Sequence, residues 1–251
     1  DGVSVADITA LTPDGQTILQ RSIEWAAAAG GGSGGGSGTP TGVVFAEFTD
    51  ASLASNGKAL TLSKPGGTAA GDLLIAAIAT DGNQQTWNPP STGWNLINQG
   101  NQSDEVSLAV WWKLAGSSEP AGYNFSWAED QEAYAWMMRF TGHDPANPIN
   151  VSSNVGGSSS SPSSPAVTTS VADTMILRIG GFDDDDVSVG VPGLSGHTAI
   201  TMGNSDTGNG TCSGGAGYLI QSTAGSSGTS TFSLTRSEQY RAVTIGIAPA
   251  P

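Results

Sequence analysis

Cations are scarce in this chain: eight Lys and Arg stand against 22 Asp and Glu, a formal net charge of −14. A surface so short of positive charge repels phosphate backbones and anionic lipid, which sets nucleic acid and membranes aside as partners. There is one cysteine, Cys212, so an internal disulfide and a thiolate metal cluster are both excluded. Its expected place is as a small buried side chain in the strand CSGGAGYLI, not as a reactive thiol. No apolar run is long enough to span a bilayer, and no signal peptide is visible. Catalytic signatures are missing as well: there is no G-x-S-x-G, no Walker loop and no H-E-x-x-H. His143 and His197 have neither metal nor triad spacing around them, and a corner hydrogen bond in its Asp-Pro turn suffices for His143. The expectation is a protein that is not an enzyme.

What the chain does have is glycine, 36 residues of it, with abundant Ser and Thr and only 12% charged residues. That composition suits many short strands joined by small-residue turns, and 251 residues can bury a sizeable core. The organising stretch is 105–142, where EVSLAVWWKLAG and EAYAWMMRFTG flank SSEPAGYNFSWAEDQ. Val106, Leu108, Val110, Trp112 and Leu114 share one side of a two-residue period, as do Tyr134, Trp136, Met138 and Phe140. This predicts a pair of antiparallel strands with one face in and the other partly out. Around it lie VVFAEFT (43–49), KALTLS (58–63) and DLLIAAIAT (72–80), with turn signals at Ser55–Gly57 and Pro65–Gly67. DLLIAAIAT is apolar on both faces and reads as a central strand. NVGGSSSSPSSP (154–165) reads as a low-complexity bridge. AVTTS, TMILRIGGF, HTAITMG, GAGYLIQ, TSTFSLT and QYRAVTIGIA then supply a second half. Small residues recur opposite bulky ones, as at Ala76, Ala109, Ala135, Ala242, Thr244 and Gly246. Such a face either admits another backbone or helix closely or is a lightly covered outer surface.

Ahead of the strands, 11–29 is the one convincing helix, with Thr12 as N-cap and Pro13 at the first turn. Ile18, Leu19, Ile23 and Trp25 belong to its apolar stripe, which needs a surface to dock on. Residues 30–42, GGGSGGGSGTPTG, read as a tether. The expected fold is therefore all-β: a two-sheet antiparallel β-sandwich, jelly-roll-like, over 43–251, preceded by one N-terminal helix (1–29) and a Gly/Ser-rich linker (30–42).

The motifs GDLLIAAIATDG, GWNLI, LAVWWKLAGSSEPAGYNFSW, AYAWMMRFTGHDPANPI and QYRAVTIGIAP resemble a β-sandwich module of secreted bacterial and phage-associated proteins. The resemblance runs over roughly residues 43–248 and implies an extracellular structural or adhesive role without catalytic residues. ALTPDGQTILQRSIEWAAA is similar to the closing helix of domains that lie upstream in multidomain surface proteins. A start at Asp1, few lysines, an acid pI and sequons at Asn101, Asn124, Asn150 and Asn209 also suggest export.

Candidate sites are few. Asp183, Asp184, Asp185 and Asp186 form a run that offers oxygen ligands to calcium, although consecutive acids in extended chain point apart and a solvated acidic turn is the commoner state. Asp72, Asp81 and Asp130, each at a strand end, are weaker candidates for the same role. Glu129, Asp130 and Glu132 offer a carboxylate pair of the glycosidase kind, though loop carboxylates are common. Trp94 and Trp127 are expected to cap the core, whereas Trp87, amid polar residues, is expected to be exposed and able to stack on a sugar. Two functions follow. The first is a surface filament or polymer subunit, docking its N-terminal segment on copies of itself through Ile18, Leu19, Ile23 and Trp25. The alternative is a carbohydrate-binding or adhesin module binding glycans.

Overall fold

Strand-forming residues follow one another from Val44 onward, and the computed structural model, which describes residues 42–251 other than 85, 91 and 92, is all-β with antiparallel pairing throughout. The helix expected over 11–29, with Ile18, Leu19, Ile23 and Trp25, lies outside the described residues, as does the tether before Gly42. The strands of the first half are β1 (Val44–Ser63), β2 (Leu73–Asp81), β3 (Trp87–Asn88), β4 (Asn95–Gln102), β5 (Val106–Leu114) and β6 (Gly122–Thr141). They form one sheet in the order β1-β6-β2-β5-β4, with β3 beside β6. The second half supplies β7 (Ile149–Ser159), β8 (Ser163–Ser164), β9 (Thr168–Thr169), β10 (Thr174–Asp183), β11 (Thr198–Asn204), β12 (Cys212–Gln221), β13 (Gly225–Ser226), β14 (Ser230–Thr231) and β15 (Glu238–Ile247). Its main sheet runs β11-β12-β10-β15-β7, with small ladders β13-β9 and β14-β8.

The two main sheets share a core, which makes the arrangement sandwich-like. Leu73, Ile75, Ala77, Leu108, Val110, Tyr134, Trp136, Met138 and Phe140 from the first meet Met175, Leu177, Ile179, Val243, Ile245 and Ile247 from the second. The inward alternation read from the sequence holds for these residues. Trp136 reaches across because Gly214 on β12 has no side chain: a Cβ there would lie 2.5 Å from the indole.

Three expectations about connectivity are corrected. The strands of 105–142 are not neighbours, since β2 separates β5 from β6, with Leu73 opposite both Leu114 and Phe140. An apolar character on both faces gives β2 the centre. The runs 43–49 and 58–63 are one strand, because β6 continues through most of the expected loop and pairs β1 as far as Gly122, with bulges between Leu53 and Ala59. The first half of the bridge at 154–165 is the end of the edge strand β7, paired to β15 out to Ser159. Glycine suits it there, since a Cβ on Gly156 would lie 2.7 Å from the Arg241 guanidinium.

The outward faces are also covered, against the expectation of a face partly out. β6 pairs with β2 only from Ala133 onward, yet Phe125, earlier in the strand, lies 5.5 Å from Trp111 of β5 by ring centres. Within one flat sheet β2 would separate the two rings, so the outer part of the β1–β6 ribbon folds over the sheet at the bulges. Leu60, Leu62, Tyr123, Phe125 and Trp127 thus pack on Leu74, Ala76, Ile78, Ala109, Ala133 and Ala135. The small residues admit a close layer, and the layer is this chain's own. Beneath that flap Lys113 donates to Glu119 at 2.8 Å and stands over the Trp94 and Tyr123 rings. Burial alone would raise the Glu119 carboxyl, but hydrogen bonds from Lys113, Tyr123 and Gly116 outweigh it and hold Glu119 below the usual carboxylate range.

On the second sheet the outward face of β10 carries Arg178, 1% exposed. Its Nε donates to His197 Nε2 at 2.9 Å, Nη1 to Ser164 Oγ, Pro165 O and Thr244 Oγ1, and Nη2 to Ser227 O and Gly228 O. No carboxylate of the described residues pairs with it. Burial lowers the guanidinium to about 10, still charged at neutral pH. It holds the segments around β8 and β13 down over the sheet.

Replacing Arg178 by Met leaves those buried acceptors unpaired, each worth about 1–3 kcal/mol. The expected loss, after partial rehydration of the two segments, is about 3 kcal/mol in urea unfolding. A loss below about 0.5 kcal/mol, within the range of an ordinary surface change, would show that the guanidinium does not hold them.

Candidate functional site

Antiparallel pairing aligns strand ends, and at one end of this molecule the aligned residues are acidic. β2 finishes at Asp81 beside the start of β5, which Glu105 precedes. β10 finishes at Asp183 and β15 begins at Glu238. One oxygen each of Asp183, Asp184 and Glu238 lie within 4.8 Å of one another, and all three residues are half-buried. Asp184 takes a left-handed backbone with φ 55°, and its N–H donates to Thr211 O at 3.1 Å.

Burial, then the charges of Asp184, Asp81, Glu105 and Glu238, push the Asp183 carboxyl up to about 7. Burial, then Asp184, Glu105 and Glu132, raise Asp81 to about 6 against one favourable bond from Gly82. Asp184 and Glu238 are raised too, again by burial first. An arrangement of this kind takes up protons near neutrality or a hard, oxygen-liganded cation.

Of the acidic run, Asp183 and Asp184 belong to this cluster. Asp186 adjoins it: its carboxyl shares a hydrogen bond with Glu238, while it also accepts from Thr235 Oγ1 at 2.9 Å and pairs with Arg236 at 3.9 Å. Asp185 is in neither group. Glu238 was missed by sequence reasoning because it comes from a strand far along the chain. The available signal was its place at the start of a run that pairs with the run ending at Asp183. The other strand-end acids do different work: Asp72 pairs with Arg139 at 3.1 Å, and Asp130 lies 3.8 Å from Lys58 at the surface. Glu132 accepts from Ser205 Oγ at 2.9 Å.

Trp87 does not stand in solvent. It is 8% exposed, with its ring 5.8 Å from Trp111 and 6.0 Å from Trp127. β3 pairs with β6 at Trp127, which draws the indole under the flap. Trp94 and Trp127 are buried in the same cluster on the outward face of the first sheet. Cys212 is buried, and burial pushes its thiol up to about 12, which leaves it protonated. His143 is buried with neither ring nitrogen bonded among the described residues, in place of the expected corner hydrogen bond.

A cleft of about 380 Å³ opens between the edge strands β1 and β11. Phe48, Ile200, Met202 and Val189 supply its apolar lining, and Asp50, Ser52 and Thr201 its polar part. The Tyr134 hydroxyl at its floor donates to Asp50 Oδ2 at 2.9 Å and lies 2.9 Å from Thr201 Oγ1. Ser52 Oγ donates to Asn204 O at 2.7 Å, which ties the two edges together at one end. Side chains, not a backbone ladder, bridge this margin.

Compared with family models, with curated proteins and with solved structures, the chain returns no significant match.

Asp183 binds its proton more tightly folded than unfolded, so its contribution to stability is present below about pH 4 and is lost as pH rises through about 7. Asp183→Asn is therefore expected to be near neutral at about pH 4 and stabilising at about pH 8. A shift of this size, discounted for a half-exposed group, corresponds to a gain of about 1–2 kcal/mol. Thermal melts of both proteins across that range test it, and an equal difference at both pH values would contradict it. The same melts with millimolar calcium test the calcium expectation: a rise confined to the wild type supports it, and unchanged curves remove it.

Proposed function

We propose that this chain is an extracellular structural protein, a subunit of a surface filament or polymer in which the N-terminal segment of one copy docks on the next. On this reading the domain is a two-sheet antiparallel sandwich of jelly-roll-like kind, wired so that each half of the chain builds one sheet. Its kin are the modules of secreted bacterial and phage-associated proteins that its strand motifs resemble, and it acts without a catalytic site.

The observation that carries the proposal is the place of β1. The segment with the apolar stripe Ile18, Leu19, Ile23 and Trp25 leads into a strand at the edge of its sheet, with no backbone ladder on its outer side among the described residues. Edges of sheets are where further chain is received, and segment exchange between copies gives head-to-tail contacts that need not close into a ring. The large negative charge agrees with partners other than nucleic acid or anionic membrane. Glycan binding, the alternative, rested on an exposed Trp87, and the burial of that ring leaves it without a named residue.

Removing residues 1–42 is expected to leave a folded domain that sediments as a monomer, while the full chain sediments as polymers and forms fibres in negative-stain micrographs. A monomeric full chain at high concentration, or a truncated chain that still polymerises, overturns the proposal.

A further inference from the structure

We propose that the cleft between β1 and β11 is the acceptor for residues 11–29 of a neighbouring copy. This rests on the assembly reading above and names its receiving surface.

The two outward sheet faces, whose small residues invite a close layer, are already occupied by the chain's own flap and segments. At the β1–β11 margin large apolar side chains stand open instead. Val189 is 70% exposed and lines the cleft with the half-buried Phe48 and Ile200, and Val191, just beyond, is 58% exposed. The turn that carries Val189 is fixed on β11 by Gly190 N–H donating to Met202 O at 2.8 Å, so the apolar wall is built into the fold. A volume of about 380 Å³ admits a few large side chains of an apolar stripe.

The length of chain outside the described residues, and the point where it ends, favour a neighbour as the source. That chain ends just before Gly42, two residues ahead of Val44 at the start of β1, and Phe48 follows within the same strand. A stretch of the length of 30–42 can reach at most roughly 40 Å, about the width of a compact domain of this size. A tether of that reach carries the stripe across one domain and onto the next.

The test uses full-length single-cysteine additions, the buried Cys212 being shielded from exchange. Ile23→Cys protein is mixed with Val189→Cys protein under mild oxidation, with Ile18→Cys as a second register and Val171→Cys as a surface control. The expected result is a disulfide-linked heterodimer with Val189→Cys at about a hundredfold the yield of the control, as local concentration in a docked pair requires. Yields no higher than the control at both stripe positions overturn the cleft assignment, even if polymers still form and the assembly reading stands. A chain carrying both Ile23→Cys and Val189→Cys that closes only on itself, with no link between mixed proteins, overturns the neighbour as occupant. Failure of the truncation experiment above, by contrast, overturns the assembly reading itself.

Discussion

The fold depends on one constraint: its central strands are apolar on both faces. β2 is the clearest case, with Leu73, Ile75 and Ala77 toward one side, Leu74, Ala76 and Ile78 toward the other, and none of them accessible. Two sheets laid together satisfy only the inner faces. Each outer face still needs a cover, because apolar area left in water forfeits about 25 cal/mol per Å². The length of β1 and β6, the bulges that bend them, and the burial of Trp87, Trp94, Trp111 and Trp127 in one cluster follow from that need.

The second sheet meets the same need with poorer material. Part of its cover, between Ser163 and Thr169 and between Gly225 and Thr231, is Ser, Thr, Gly and Pro apart from Ala166 and the buried Val167, and buries little apolar area. Arg178 supplies what hydrophobic packing does not, because one guanidinium gathers acceptors from both segments in a planar fork. His197 completes the set in one state alone. Its Nε2 accepts from Arg178, so its proton sits on Nδ1 and is donated to Ser195 O at 2.8 Å. Burial, reinforced by the adjacent guanidinium, keeps the ring neutral by lowering its pKa.

Much of the strand content was legible in the sequence, because two-residue alternation in 106–114 and 134–140 reports directly which side chains face the core. The central place of β2 was legible for the same reason. Partner choice was not: nothing local to EVSLAVWWKLAG says that its neighbour lies before it and not after it. The flap was hidden because a long bulged ribbon and two strands joined by a turn share one apolar pattern, and only contact between Phe125 and Trp111 separates them. Trp87 reads as exposed and is buried because polar neighbours in sequence do not imply polar surroundings in space. Most of the acidic cluster was visible as a run of aspartates and as Asp81 at a strand end, and the rest, Glu238, becomes visible once strand ends are aligned.

The division of the chain into one sheet per half bears on the order in which the protein is made. In the first sheet every ladder closes once Thr141 has emerged, with β1 waiting longest for β6. The second sheet follows a different schedule, because β15 lies between β10 and β7. Until β15 leaves the ribosome, β7 has no ladder partner and β10 is bare on one side. The nascent chain thus holds a finished first sheet whose inner face, with Trp136 and Phe140, has nothing to close on, and that interval is when it most needs protection from its neighbours.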